Sequence, residues 1–301
     1  MMEIINDNTD TKDFSRRDYI KITIFGLAIS ALWGSLHSII LPLRLLDFVD
    51  ESLKNTYLGL LTLTGLLLAM AYQPIAGAIS DRSRFRWGRR RPYILAGAIA
   101  VILLIPGIGL VESYAAIFIT YCLIQVSANT AQGPFQALIP DLVPEDKRGI
   151  ASGIKSLLEI VGGLGLVYLI VYVGNRFTSE GVSWLWLVLG IIASLLLITM
   201  LITIITVREK AVTAVSQAPL LPTLYKSFKI DLKKSPGFVY FLASRLLFVM
   251  ALTTLQSFAF YFIQDMVGAT DPTTATTELL VAVGFGMGVS VYPAGRLSDR
   301  L

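Results

Sequence analysis

Eight stretches of mostly apolar residues run through the chain, at about 20–43, 57–80, 92–111, 114–139, 151–174, 183–207, 237–264 and 278–295. A helix rising 1.5 Å per residue needs roughly 20 such residues to cross about 30 Å of hydrocarbon. In lipid each backbone N–H and C=O must be bonded within the protein, and a chain built this way is confined there to helices. Composition agrees: 54% of the 301 residues are hydrophobic and only 15% charged, against about 25% in soluble domains. The expected fold is an all-α multi-pass membrane protein. The first 18 residues are polar and hold no apolar stretch of the signal-peptide kind. The first span is therefore expected to act as its own insertion signal.

Orientation follows from where the cations fall. One set of alternate connections holds Lys12, Arg16, Arg17, Lys21, Arg82, Arg84, Arg86, Arg89, Arg90, Arg91, Lys147, Arg148, Arg208, Lys210, Lys226, Lys229, Lys233, Lys234, Arg296 and Arg300. The other holds Arg44, Lys54 and Arg176, while Lys155 and Arg245 lie inside spans. This asymmetry puts the N-terminus and the loop of the eighties in the cytoplasm, and the cytoplasmic membrane is the expected location. Overall the excess is small, 25 Lys and Arg against 21 Asp and Glu, and no nucleic-acid partner is expected.

The single cysteine, Cys122, and single histidine, His37, cannot form an internal disulfide or a Cys/His metal site. No metal and no cofactor is expected. A membrane enzyme would need a nucleophile with its base, or clustered carboxylates. Asp141, Glu145 and Asp146 are near one another, but Lys147 and Arg148 follow at once, and the group reads as a solvated loop. No catalytic residue is assigned, and an enzyme is not expected.

A repeat organises the spans. Gly77-Ala78-Ile79-Ser80-Asp81-Arg82 closes the second, and Gly295-Arg296-Leu297-Ser298-Asp299-Arg300 closes the eighth, each after a proline (Pro74, Pro293). The longest hydrophilic break, 208–236, has six spans before it and two after. The expected division is a polar tail (1–18), a six-helix bundle (19–207), a cytoplasmic central loop (208–236) and the first two helices of a second bundle (237–301). Parallel six-helix repeats belong to secondary transporters. The implied whole has twelve spans, about eight of them here, so the second bundle is expected to be incomplete.

The string Gln73-Pro74, Gly77, Ser80-Asp81-Arg82, Gly88-Arg89-Arg90-Arg91-Pro92 resembles the signature loop of the major facilitator superfamily. Within it, the sequence is similar to the sucrose-transporter branch and the glycoside–pentoside–hexuronide:cation symporters. Trp33 with Pro42, Asn129-Thr130-Ala131-Gln132-Gly133-Pro134 with Ala137, Leu138 and Asp141, and Pro144-Glu145-Asp146-Lys147-Arg148-Gly149 carry the same likeness. The resemblance implies proton- or sodium-coupled uptake of a sugar or glycoside by alternating access. Gly77, Asp81, Arg82, Gly88, Arg89, Arg90 and Arg91, with Gly295, Asp299 and Arg300, are read as a cytoplasmic gate motif, with simple positive-inside anchoring as the alternative for the arginines. Plant sucrose transporters carry an acid four positions before the residue matching Asn129; here that position is Gln125.

Ionisable residues inside a membrane are costly and mark function or pairing. Glu159 lies roughly 12 Å into the fifth span, eight residues at 1.5 Å each. Lys155 is one turn earlier on the same face. The two are ion-coupling candidates, with a local ion pair as the alternative. Substrate-pathway candidates are Trp33, His37, Gln73, Gln125, Asn129, Gln132, Arg245 and Gln256, which supply the aromatic faces and hydrogen-bonding groups that sugars need. Of these, Gln125, Asn129 and Gln132 share one helical stripe, as a structural hydrogen-bond seam between helices also would, and the alternative for His37 is a packed polar group. Trp184 and Trp186, opening the sixth span, read as interfacial anchors. The expected protein is a monomeric sugar transporter in the lipid bilayer that carries H+ or Na+. A proton-coupled exporter of drugs or metabolites and a non-transporting receptor or scaffold are the alternatives.

Overall fold

The computed structural model describes residues 15–177, 181–209 and 236–298. The described residues are helical throughout, joined by short turns. Helix α1 (Arg16–Ser35) opens with the Asp18 carboxylate accepting the Ser15 N–H at 3.0 Å, an anion at the positive end of the helix dipole. It runs through a wide π turn (Leu36–Ile40) into α2 (Leu41–Leu45). Pro42 has no N–H to give the Ser38 carbonyl, and the chain widens at that point. Then come α3 (Lys54–Asp81), α4 (Arg91–Leu110), α5 (Tyr114–Gln136) and the short α6 (Leu138–Leu142).

The fifth span is α7 (Arg148–Ile160), a second π turn (Val161–Gly165) and α8 (Leu166–Phe177). Helix α9 (Gly181–Thr206) completes six spans. Helix α10 (Pro236–Phe262) ends in a third π turn (Ile263–Val267), which Gly268 closes at a left-handed φ of 68°. Helix α11 (Pro272–Ser298) follows. Seven stretches among the described residues are long and apolar enough to cross a membrane. The eighth expected span, 278–295, falls within α11, which is not one of the seven; its opening turns carry Thr273, Thr274, Thr276, Thr277 and Glu278.

Lipid tails are as apolar as leucine, so small residues that let backbones close up hold membrane helices together. Helix α5 packs against α3 and α4, and α1 against α7, the second π turn and α9. A Cβ on Gly97 would stand 2.6 Å from the Ser127 carbonyl and the Ala131 nitrogen; one on Gly133 would stand 2.8 Å from the Gln73 carbonyl. Gly34 meets the Gly163 carbonyl and Gly162 the Leu27 carbonyl as closely. Gly77, by contrast, has open space where its Cβ would be. The close approach beside the signature loop is made by Gly133, not by the motif's own glycine.

Leu60, Leu63, Leu67, Leu103 and Ile205 point outward, as a lipid-facing surface requires. Trp186 is part-exposed over Gly109. Trp184 is buried in the core. That corrects its reading as an anchor: two residues apart, the tryptophans lie roughly 200° from each other around the helix and so on opposite faces. Helix α10 packs on the first π turn, α2 and α3, while α11 packs on α7, α8 and the second π turn.

Candidate functional site

Two polar groups stand out in this apolar frame. The first lies in the interior of the first six spans, where α1, its π turn and α5 meet. The rings of Trp33 and His37 stack at 5.4 Å with 13° between planes, and His37 meets Tyr121 edge-on at 5.9 Å. Tyr121 Oη lies 2.9 Å from His37 Nε2 and accepts from Gln125 Nε2 at 2.8 Å. With Gln125 as donor, the tyrosine hydroxyl can still give its hydrogen to His37 Nε2 or accept one from it, according to the tautomer of the ring. Asn129 Nδ2 donates to the Gln125 carbonyl at 2.8 Å and to Gln125 Oε1 at 3.2 Å. Gly65 of α3 lies directly against Tyr121 and Gln125, where any side chain would collide with them.

The chain of bonds is uncharged from end to end. His37 Nδ1 and Asn129 Oδ1, at its two ends, make no hydrogen bond among the described residues. They leave a ring nitrogen and an amide oxygen for a guest. Nearby, Trp33 Nε1 donates to Gln132 Oε1 at a long 3.5 Å. Thr130 ties α5 to Tyr72 of α3 at 3.3 Å. Gln73 and Gln256 are half-buried on α3 and α10, and their side chains join no bond of the network. Arg245 lies within α10, with its side chain outside the described residues.

Glu159 and Lys155 pair at 3.0 Å, each partly exposed. The Glu159 stem runs along Gly26 of α1, beside Phe135. No hydrogen bond or ion pair among the described residues links the pair to the His37–Asn129 chain.

The second group gathers at the signature loop. Arg90, buried at the start of α4, pairs with Asp81 at the end of α3 and, at 2.9 Å, with Asp141 of α6. Its Nη1 also donates to Ser80 Oγ at 2.6 Å and to the Gly77 carbonyl at 3.2 Å. Arg89 pairs with the other Asp141 oxygen at 2.7 Å. Burial opposes the Arg89 charge, but the bond to Asp141 and the charges of Asp81 and Glu209 outweigh it and raise its pKa. Asp141 is thus an organised ligand of two arginines and not part of a solvated loop; the adjacent Lys147 and Arg148 hid that reading.

Glu209, just past α9, accepts the backbone N–H groups of Arg89, Arg90 and Arg91 at 2.8, 2.9 and 2.9 Å. It satisfies the free donors at the N-terminus of α4. Gly88 makes room for it: φ is +121°, and a Cβ there would be 2.8 Å from the Glu209 carboxyl carbon. Arg91 bonds the carbonyls of Trp87 and Ile204. Arg82 caps α3. In the second copy of the motif, Asp299 and Arg300 lie outside the described residues, and Gly295 is in α11 with its surroundings outside them.

Tyr121 and Glu209 were not singled out from the sequence. Tyr121 extends the Gln125–Asn129–Gln132 stripe by one turn and was within reach. Glu209 could be found only as the acid that follows the sixth span among basic residues.

The family model described as MFS/sugar transport protein matches residues 24–298. The chain belongs to this family. The resemblance carried by the signature loop and the fourth span is thereby borne out. This MFS sugar-transport chain is 28% identical over 169 residues to a sucrose transport protein of Arabidopsis thaliana, covering 50% of this chain and 32% of that protein. It is 21% identical over 307 residues to a lactose permease of Leuconostoc lactis, covering 93% of this chain and 48% of the permease. The chain thus spans half or less of the length of these relatives. A D-xylose–proton symporter shares the fold, with a TM-score of 0.58, 19% identity, and coverage of 89% of this chain and 65% of that one. The fold is that of a multi-pass, all-α membrane protein of the major facilitator type.

Proposed function

We propose that the protein is a secondary active transporter that moves a sugar or glycoside across the cytoplasmic membrane by alternating access, in symport with H+ or Na+. The observation that carries this reading is the uncharged His37–Tyr121–Gln125–Asn129 chain beside Trp33, set between membrane helices with His37 Nδ1 and Asn129 Oδ1 unspent. A neutral set of hydrogen-bonding groups beside an aromatic ring suits a polyhydroxyl compound. The relatives named for sucrose and lactose transport support the same class. A proton-coupled exporter is not favoured.

Orientation is read from the cation asymmetry, with the arginine loop and the N-terminus in the cytoplasm. The division into a six-helix bundle, a central loop over 208–236 and the start of a second bundle is part of the same proposal. So is the assignment of Trp33, His37, Gln73, Gln132, Arg245 and Gln256 to the substrate pathway. Gln125 replaces the acid of the sucrose branch, and coupling is assigned to Glu159 with Lys155, whose ion pair can exchange for a proton or a sodium ion. The arginine cluster is assigned to the cytoplasmic gate.

Uptake of labelled sucrose and lactose into vesicles carrying the full-length protein, under imposed pH or Na+ gradients, tests the reading. Accumulation should follow one gradient and collapse when it is dissipated. Asn129→Ala should abolish it. Glu159→Gln should leave exchange of labelled for unlabelled sugar intact while removing gradient-driven accumulation; accumulation unchanged in that variant would remove Glu159 from the coupling step.

A further inference from the structure

Among the described residues, one charged contact joins the two halves of the molecule at the end opposite the arginine loop. Lys54, the first residue of α3, donates to Asp265 Oδ1 in the third π turn at 2.7 Å, across 211 residues of sequence. Its ammonium also stands 4.9 Å over the ring of Tyr261. The lysine side chain is only 3% exposed, although it lies at the edge of a span; Asp265 is 37% exposed and keeps contact with water. The looser neighbour, Glu51, is 3.7 Å away and 83% exposed.

Tyr261 does a second task in the same seam. Its hydroxyl donates to the Pro42 carbonyl at 2.9 Å. That carbonyl belongs to the last turn of α2, where the Leu46 N–H turns to Leu43 instead. An orphan helix-end acceptor is thus satisfied from the other half of the chain. Below the pair, Phe258 lies 3.8 Å from the Cβ position of Gly59. Toward the arginine end of α10, Leu246, Leu247 and Phe248 are exposed. The described contact of α10 with the first spans is concentrated where the lysine is.

We propose that the Lys54–Asp265 pair, seated on the Tyr261 ring, is a latch that holds the two halves closed at the outer end and must open for substrate to enter from outside. The chemistry suits a latch. A buried ammonium with one strong partner is held firmly, because separating the pair while the seam is closed leaves the lysine charge uncompensated. Once water enters, each ion is solvated and the pair contributes little. The contact is therefore strong in the closed state and weak in the open one, as a two-state element requires.

The inference rests on the proposed alternating access and orientation, and its test separates the two. In the full-length protein with Cys122→Ser, single cysteines replace Glu51, in the outer loop, and Gly59, beneath the latch. A membrane-impermeant maleimide is applied to right-side-out vesicles. Glu51→Cys left unlabelled would overturn the orientation and with it a latch on the outer face; Glu51→Cys labelled leaves the Gly59→Cys rates to test the latch alone. Lys54→Gln should speed labelling of Gly59→Cys about tenfold, the ratio that about 1.4 kcal/mol between two states produces. The reversed pair Lys54→Asp/Asp265→Lys should restore slow labelling. Equal rates in all three, with Glu51→Cys labelled, would overturn the latch. Should Lys54→Gln fail to reach the membrane, Lys54→Cys/Asp265→Cys gives a second reading. Oxidative cross-linking should stop sugar uptake and reductant should restore it; uptake unchanged after cross-linking would also overturn the proposal.

Discussion

At the scale of single residues the interior site is a lesson in what neutral groups can do. Tyr121 is its hinge, since one hydroxyl serves both His37 and Gln125. Removing that oxygen leaves buried Gln125 and half-buried His37 each short of a bond worth about 0.5–1.5 kcal/mol when made. Tyr121→Phe should therefore raise the KM for sugar uptake roughly tenfold while the amount of folded protein in the membrane stays near normal. An unchanged KM with a loss of protein would mean the chain of bonds serves only packing. Gln125, Asn129 and Gln132 were legible beforehand as one stripe of a helix. The partner helix was not, because no periodicity in one span says which residue of another it faces. Glu159 and Lys155 were legible as a pair for the opposite reason: four residues on one helix fix their distance whatever the tertiary fold.

Among the elements, the spans were plain in the sequence, because length and apolarity alone decide whether a helix can cross lipid. Their irregularities were not. The π turns at Leu36–Ile40, Val161–Gly165 and Ile263–Val267 carry His37, follow Glu159 by two residues and hold Asp265, and only the first has a proline to announce it. The signature loop was legible as a motif, but its glycines looked equivalent and are not. Gly77 has free space for a Cβ; Gly88 is at φ +121° with Glu209 against it. Gly77→Ala should leave the thermal stability of the detergent-solubilised protein almost unchanged. Gly88→Ala forces an L residue into a sparsely populated conformation, which costs of order 1–3 kcal/mol, and pushes Glu209 off the α4 N-terminus. Its melting temperature should fall clearly. Equal behaviour of the two variants would show that Glu209 does not cap α4 in the membrane.

For the whole molecule, the arginine cluster closes the first six spans on themselves. Asp81, Arg89, Arg90, Asp141 and Glu209 tie the ends of α3, α4 and α6 to the segment after α9, and among the described residues none of these bonds reaches α10 or α11. The Lys54–Asp265 contact, at the other end, is made between the halves. One end is thus locked within a bundle and the other is bonded across the seam. If so, the first six spans carry their own stability. A fragment ending at Glu209 should insert, survive detergent extraction and elute as a single species. A fragment ending at Thr206 loses the three N–H bonds of Glu209 and the buried Val207. It should melt about 4 °C lower, the shift expected for roughly 1–2 kcal/mol in a unit of this size. Aggregation of the longer fragment, with the full chain soluble in the same detergent, would mean that α10 and α11 are needed to complete the core, and that the two halves fold as one.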